Sequence, residues 1–155
     1  MKRTSRAICI ALALVLALSL AACGSDANKD VDINALADEL LNSATFGETM
    51  NPLESSVALG LYACAEGTEA VAYAGTGATA EEVAVFNCGS AEAAEALVTS
   101  LETRNQTRIE QYSSYNPTEV PKLENALIMS GGQYVVLCVA SDLGSAASVA
   151  ENALK

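Results

Sequence analysis

Apolar residues recur every three or four positions in four stretches of this chain, a spacing typical of helices with one buried face. The four stretches are residues 31–42, 53–62, 91–112 and 142–154. In the second stretch, we expect Val57 and Leu61 to point inward. Polar residues that can accept the free N–H groups of a first helical turn precede the other three stretches. These predicted N-caps are Asp30 or Asp32, Ser90 and Asp142.

Four further stretches are apolar in alternation or without interruption, which predicts β-strands. They are residues 69–75, 82–88, 126–130 and 133–140. Gly131-Gly132 stands between the last two and can take the positive φ angles of a tight hairpin turn, so these strands should pair antiparallel. Residues 113–121 are predicted to be a loop, and Asn51-Pro52 a turn.

Strand pairs joined by short loops, rather than strands alternating with helices, favour an α+β fold. We expect one antiparallel four-stranded sheet, made of two hairpin-like strand pairs, with about three helices packed mainly on one of its faces. Residues 31–155 are enough for a single domain. The order of the strands in the sheet stays open.

The first 22 residues have a different pattern from the rest of the chain. Lys2, Arg3 and Arg6 form a basic start, and residues 7–22 carry no charge. A basic segment, a short apolar segment and small residues before a cleavage site make a secretory signal peptide. An uncleaved helical anchor is the alternative, but this uncharged stretch is shorter than the roughly 20 residues that a spanning helix needs.

Leu20-Ala21-Ala22-Cys23 ends the uncharged segment and has the pattern of a lipobox. We predict cleavage between Ala22 and Cys23, with a diacylglyceryl group on the Cys23 thiol, because two acyl chains hold a protein firmly in a bilayer. The chain is then divided into a lipoprotein signal peptide (1–22), a lipidated cysteine with a polar tether (23–30) and one α+β domain (31–155). The expected location is the extracytoplasmic face of the cell membrane.

The charge of the chain argues against some classes of binding partner. The formal net charge is −11 at pH 7, and the three basic residues of the predicted signal peptide are lost on cleavage while all 19 acids remain. Such an acidic domain repels phosphate backbones, which argues against a nucleic-acid partner. The same charge disfavours binding flat on anionic lipid, so the lipid anchor should supply the contact with the membrane.

The cysteines predict free thiols rather than a disulfide framework. Cys9 leaves with the signal peptide and Cys23 carries the lipid, so an odd number of thiols remains. Cys64, Cys88 and Cys138 each stand among apolar residues and are expected to be buried and free. One bridge among the three stays open, because a site outside the membrane can be oxidising.

The chain has no histidine, which excludes His-dependent triads, His-based metal sites and a thiol activated by His. Asp26, Asn28 and Asp30 are spaced like the start of a calcium-binding loop. The sixth and twelfth positions of that loop require glycine and a carboxylate, but here they are Val31 and Ala37. We therefore predict no metal, no cofactor and no catalytic residue.

The remaining charged residues yield one weak candidate site. Arg104 and Arg108 lie one helical turn apart and could hold an anionic group through paired N–H groups. Intramolecular pairing with the excess acids is the alternative. The acidic pairs Glu81-Glu82 and Glu92/Glu95 are expected to lie on solvated faces rather than to form an acid–base pair.

Several segments together resemble a known family. They are Glu81-Glu82-Val83-Ala84-Val85-Phe86, a following helix rich in Ala, Glu and Arg, Tyr115-Asn116-Pro117, and Gly131-Gly132-Gln133-Tyr134-Val135-Val136-Leu137. With the lipobox, these segments resemble the bacterial lipoprotein family called domain of unknown function 4358. The resemblance covers about residues 31–154 and implies no catalytic residues. It also implies a connection with membrane-bound O-acyltransferases, and so with modification of envelope polysaccharide.

The expected function is that of a cell-envelope lipoprotein whose domain has a non-catalytic interaction or accessory role. Its expected partners are the membrane, through the lipid anchor, and an envelope protein or polysaccharide. The alternatives are an accessory factor or carboxylate-based enzyme in cell-surface polysaccharide modification, or a small module that binds an anionic ligand through Arg104 and Arg108. The oligomeric state stays open.

Overall fold

The computed structural model describes residues 30–155. The predicted signal peptide, its cleavage site at Ala22 and Cys23, and tether residues 24–29 lie outside this range. Among residues 30–155, no helix is both long enough and apolar enough to cross a membrane.

Residues 30–155 form five α-helices and one five-stranded antiparallel sheet, so the predicted α+β class is confirmed. The helices are α1 (Ile33–Ser43), α2 (Ser55–Leu61), α3 (Ala91–Tyr115), α4 (Val120–Glu124) and α5 (Ala146–Leu154). The strands are β1 (Asn51–Pro52), β2 (Glu69–Ala74), β3 (Glu82–Asn87), β4 (Leu127–Gly131) and β5 (Tyr134–Val139). A 3₁₀ turn, Pro117–Glu119, precedes α4.

The predicted number of elements is too low. The fifth strand, β1, has two residues and pairs with β2, where the Leu53 N–H donates to the Ala72 carbonyl at 2.9 Å. Two residues are too few to show alternation, so only a turn was expected there. The predicted loop over residues 113–121 is also wrong, because α3 continues to Tyr115 and the chain then forms the 3₁₀ turn and α4.

The strands lie in the order β1-β2-β3-β5-β4, with β3 in the centre of the sheet. Both predicted hairpins are present, and β3 joins them by pairing with β5. The turn of the second hairpin is Gly132-Gln133 rather than Gly131-Gly132, because Gly131 already pairs with Tyr134. Gly132 supplies the positive φ, at 54°.

Helices cover both faces of the sheet, so the prediction that they lie mainly on one face is wrong. Val83 and Val85 of β3 pack into a core with α1 and α5, whereas Ala84 and Phe86 pack into a second core with α2, α3 and α4. The physical reason is visible in β3 and β5, which are apolar at nearly every position. Strands of that kind are buried on both faces.

Two of the predicted helix caps are confirmed and one is wrong. The side chain of Asp32 accepts from the N–H groups of Asn34 and Ala35, and Ser90 accepts from the Ala93 N–H. Asp142 does not cap α5, which begins four residues later at Ala146. Its carboxylate instead accepts from the Gly144 N–H at 2.9 Å, in a turn where Gly144 has a φ of 52°.

The inward face of α2 also differs from the prediction. Val57 and Leu61 are 54% and 46% exposed, while Ala58 and Tyr62 are buried. Each helical residue is rotated by about 100° from its neighbour, so a shift of one position exchanges the two faces. The Tyr62 hydroxyl finds a buried partner in Glu82, 3.0 Å away, which favours this orientation over the one with Val57 and Leu61 inside.

Candidate functional site: a buried charged cluster at the start of β3

Two buried glutamates stand at the start of β3, Glu81 directly before the strand and Glu82 as its first residue. Glu81 and Glu82 are only 2% and 3% exposed, so the prediction of a solvated face is wrong for this pair. Because burial of an unpaired carboxylate is costly, each must be matched by a basic group. The helices α3 and α4 supply these groups. We call the six residues Glu81, Glu82, Arg104, Arg108, Glu119 and Lys122 the charged cluster.

Glu82 is held by two arginines of α3. Arg104 binds it with both nitrogens of its guanidinium, Nη1 to Oε1 at 2.7 Å and Nη2 to Oε2 at 3.1 Å. Arg108 also donates to Oε1. The Tyr62 hydroxyl donates to Oε2 at 3.0 Å. The four-residue spacing of the arginines places both on the face of α3 that covers the sheet.

The same two arginines also pack against aromatic rings. The Arg104 guanidinium lies 4.8 Å from the centre of the Tyr62 ring, and that of Arg108 lies 5.7 Å from the centre of the Tyr112 ring. Arg108 donates in addition to the Ala80 carbonyl at 3.0 Å. The intramolecular alternative left open by the sequence is therefore the observed arrangement. An anionic ligand would have to compete with Glu82, which both guanidinium groups already bind.

Glu81 is held from three directions. Its two oxygens accept from the Gly47 N–H at 2.9 and 2.8 Å, and Oε1 also accepts from Lys122 Nζ at 3.0 Å and from the Ser141 hydroxyl. Burial alone would raise the pKa of Glu81, but the hydrogen bonds from Ser141, Gly47 and Lys122 outweigh it. The pKa of Glu81 is lowered, and the carboxylate stays ionised at neutral pH.

Lys122 joins two acids of the cluster. Its ammonium lies 3.0 Å from Glu81 Oε1 and 2.9 Å from Glu119 Oε2. Glu119 is 6% exposed and also accepts from the Ala80 N–H at 2.9 Å. Burial lowers the pKa of Lys122, but the hydrogen bonds that its ammonium donates to both carboxylates outweigh burial, and the pKa is raised. The cluster thus contains three acids and three bases in two groups, one around Glu82 and one around Lys122.

A further acid organises the loop between β2 and β3. Glu48 accepts from the Thr79 hydroxyl and from the Thr76 N–H, the latter at 3.0 Å. These hydrogen bonds, that of Thr79 first, lower the pKa of Glu48 to about 2. Gly75 leaves room for this carboxylate, since a Cβ at this position would lie 2.1 Å from Glu48 Oε1 and would displace it.

A shallow groove of about 330 Å³ lies next to the charged cluster. Its walls are α4 and the segment that follows β5: Pro121, Lys122, Asn125, Ala140, Ser141, Asp142 and Leu143. Lys122 and Ser141 belong both to the groove and to the contacts of Glu81. The groove therefore presents both polar and apolar groups, beside the buried ion pairs.

The three thiols within residues 30–155 are free: Cys64 and Cys88 are half-buried, and Cys138 is buried. Burial raises the pKa of Cys64 to about 11 and that of Cys138 to about 12, which keeps these thiols protonated at neutral pH. No group of three or more Cys, Asp and Glu side chains in this part of the chain is arranged to hold a metal ion.

The sequence singled out Glu81, Glu82 and the two arginines but not the other members of the site. Tyr62, Glu119 and Lys122 come from three different elements and were missed. The one usable signal was two acids directly before an uninterrupted apolar run, because a strand buried on both faces brings its first residues into the interior. Lys122 stands in a segment with no periodic pattern, so no signal pointed to it.

Comparison with known proteins gives one match. Residues 66–140 match the family model described as "Domain of unknown function (DUF4358)", which confirms the resemblance predicted from the sequence. The matched segment runs from the start of β2 to the end of β5 and contains all six residues of the charged cluster. No curated protein and no solved structure matches the chain.

Proposed function

We propose that this chain, with its resemblance to that family, is a cell-envelope lipoprotein whose domain has a non-catalytic interaction or accessory role. The observation that carries the proposal is Leu20-Ala21-Ala22-Cys23 at the end of an uncharged segment with a basic start. Two acyl chains on Cys23 would hold the acidic domain at the extracytoplasmic face of the cell membrane.

The contacts of Asp30 and Val31, at the start of the domain, support a defined orientation of the domain on the membrane. The Val31 N–H donates to the Tyr134 hydroxyl at 3.3 Å, and that hydroxyl lies 3.4 Å from Asp30 Oδ1. Tyr134 begins β5 and pairs with Asn87 at the end of β3. The segment from Cys23 to Asp30 can span at most about 25 Å, so this end of the sheet would face the membrane.

The groove and the charged cluster lie at the other end of the same strands, where Glu82 pairs with Val139. In a lipid-anchored chain this end would face away from the bilayer. We propose that the groove, which includes Lys122 and Ser141, is the surface that meets an envelope protein or a polysaccharide. Its mixed lining, with polar side chains such as Asn125 and Asp142 beside apolar ones, suits such a partner better than a purely apolar ligand.

The ionisation of the site favours binding over acid–base catalysis. A general acid needs a pKa raised toward the working pH. The hydrogen bonds to Glu81 and Glu48 have the opposite effect and lower both pKa values. A carboxylate-based enzyme in polysaccharide modification therefore has less support than an accessory role.

The anchoring proposal is tested with Cys23→Ser in the native host. We expect the parent chain to partition into the detergent phase and to carry an acylated N-terminal cysteine by mass spectrometry. The variant should remain in the aqueous phase or keep an uncleaved N-terminus. A cleaved variant that partitions like the parent, or a parent with a mature N-terminus at another residue and no acyl mass, would overturn the proposal.

The orientation is tested with the lipidated protein in nanodiscs that contain lipids with a paramagnetic headgroup. We expect the amide NMR signal of Gly132 to be attenuated and that of Asn125 to keep its intensity. The Cys23→Ser variant, mixed with the same nanodiscs, is the control and should show neither effect. Stronger attenuation at Asn125 than at Gly132 would reverse the proposed orientation without affecting the anchoring test.

A further inference from the structure

Cys88 lines a small crevice, and Cys64 lies between two residues of the same lining. A crevice of about 120 Å³ lies between the loop after α2 and the N-terminal half of α3, and its lining includes Ala63, Ala65, Thr68 and Cys88. Cys64 stands between two of these lining residues. Both thiols are half-buried and pack against the core on the α3 side of the sheet.

Strand pairing holds the segment after Cys64 beside the segment before Cys88. Glu69 pairs with Asn87 at the end of the β2–β3 ladder, and Cys88 directly follows Asn87. The Thr68 N–H donates to the Ala65 carbonyl at 3.2 Å, which turns the chain back toward Cys64. The Cys64 N–H in turn donates to the Leu59 carbonyl at 2.9 Å, which fixes this loop to the end of α2.

The electrostatics agree with this placement. Burial raises the pKa of Cys64, and a second contribution comes from the charge that Cys88 would carry when ionised.

Cys138 is on the wrong side of the sheet to take part. It pairs with Val83 across β3 and β5, is fully buried, and packs in the core with α1 and α5. The sheet itself separates it from the crevice. Of the disulfides that the sequence left open, only one between Cys64 and Cys88 therefore remains.

We propose that Cys64 and Cys88 form an intramolecular disulfide when the domain meets a disulfide oxidant such as oxidised glutathione. One cysteine thiolate attacks the glutathione disulfide, forms a mixed disulfide and releases one glutathione thiolate. The second cysteine attacks the mixed disulfide and releases the other. The two cysteines lose two protons and two electrons in total, and one glutathione disulfide becomes two thiols. This chemistry does not depend on the lipid anchor.

The bond would fasten the loop after α2 to the end of β3. It would close a loop of about 25 residues and so remove freedom from the unfolded chain. The oxidised protein should therefore unfold at a higher urea concentration than the reduced protein. The reduced form keeps its fold, since both thiols are free in this structure.

The experiment incubates the purified full chain with oxidised glutathione, alkylates the remaining thiols and maps the peptides. Trypsin cannot separate the two cysteines, because no Lys or Arg lies between Lys29 and Arg104, so a glutamyl endopeptidase is used. We expect a cross-linked pair of peptides that contain Cys64 and Cys88. Cys138 should be alkylated only after unfolding.

Cys138→Ala is the matched control and should form the same bridge, whereas Cys64→Ala and Cys88→Ala should each abolish it. The urea midpoint of the parent chain, oxidised against reduced, gives a readout that needs no variant. Mixed glutathione adducts without the cross-link, a bridge that includes Cys9, Cys23 or Cys138, or an unchanged midpoint would overturn the proposal.

Discussion

Glu81 and Glu82 are neighbours in the chain, yet different helices neutralise them. Glu82 faces α3 and is bound by Arg104, whereas Glu81 is bound by Lys122 of α4. Two consecutive residues of an extended chain point to opposite sides, so this pair fastens two separate helices to the start of the central strand. The charged cluster therefore belongs to the framework that shapes the groove.

We predict that Glu82→Gln destabilises the domain by about 3 kcal/mol, because it leaves two partly buried guanidinium groups without their carboxylate. Glu95→Gln, on the exposed face of the same helix that carries the arginines, should change stability by less than about 0.5 kcal/mol. Urea unfolding followed by circular dichroism measures both. If the two variants were equally stable, the ion pairs would contribute nothing to the fold.

The double substitution Arg104→Gln with Arg108→Gln should also cost about 3 kcal/mol, since Glu82 would then be buried with only the Tyr62 hydroxyl as a donor. A surface pair that served only to bind an anion would leave stability nearly unchanged. Lys155→Gln, which removes an exposed basic group at the end of α5, is the control for loss of positive charge.

Combining the double substitution with Glu82→Gln extends this test. All the partners would then be neutral, so the combined loss should be smaller than the sum of the separate losses. A strictly additive result would show that Glu82 and the arginines act independently, contrary to the contacts observed.

Local patterns predicted most of the helices and strands. The signals used were helix periodicity, apolar strand runs and the caps Asp32 and Ser90, and each depends only on residues close together in the chain. The partners of the charged cluster could not be predicted in this way. Tyr62 is far in sequence from its partner Glu82, as Lys122 is from Glu81, and these pairs meet only once the sheet has formed. The inward face of the short α2 was missed for a related reason, since a distant partner decides which way Tyr62 points.

The exposure of α2 gives a prediction of its own. Leu61→Gln should change stability by less than about 0.5 kcal/mol, because the Leu61 side chain is 46% exposed. Tyr62→Phe, one residue away, should cost about 1 to 3 kcal/mol, since it leaves buried Glu82 without one of its donors. A larger loss for Leu61→Gln than for Tyr62→Phe would restore the orientation predicted from the sequence.

Acid should destabilise the domain partly through Glu48. Its pKa falls from 4.5 to about 2 in the folded state, because it accepts hydrogen bonds from Thr79 and Thr76. Between these two values the unfolded chain binds the proton more readily, so the stabilisation from Glu48 is fully present above pH 4.5 and is lost as the pH falls toward 2.

Glu48→Gln removes this contribution. The stability gap between parent and variant should therefore narrow as the pH is lowered from about 6 to about 3. Urea midpoints across that range measure it, with Glu110→Gln on the exposed face of α3 as the control. A gap that stayed constant with pH would mean that the hydrogen bonds to Glu48 do not favour its ionised form.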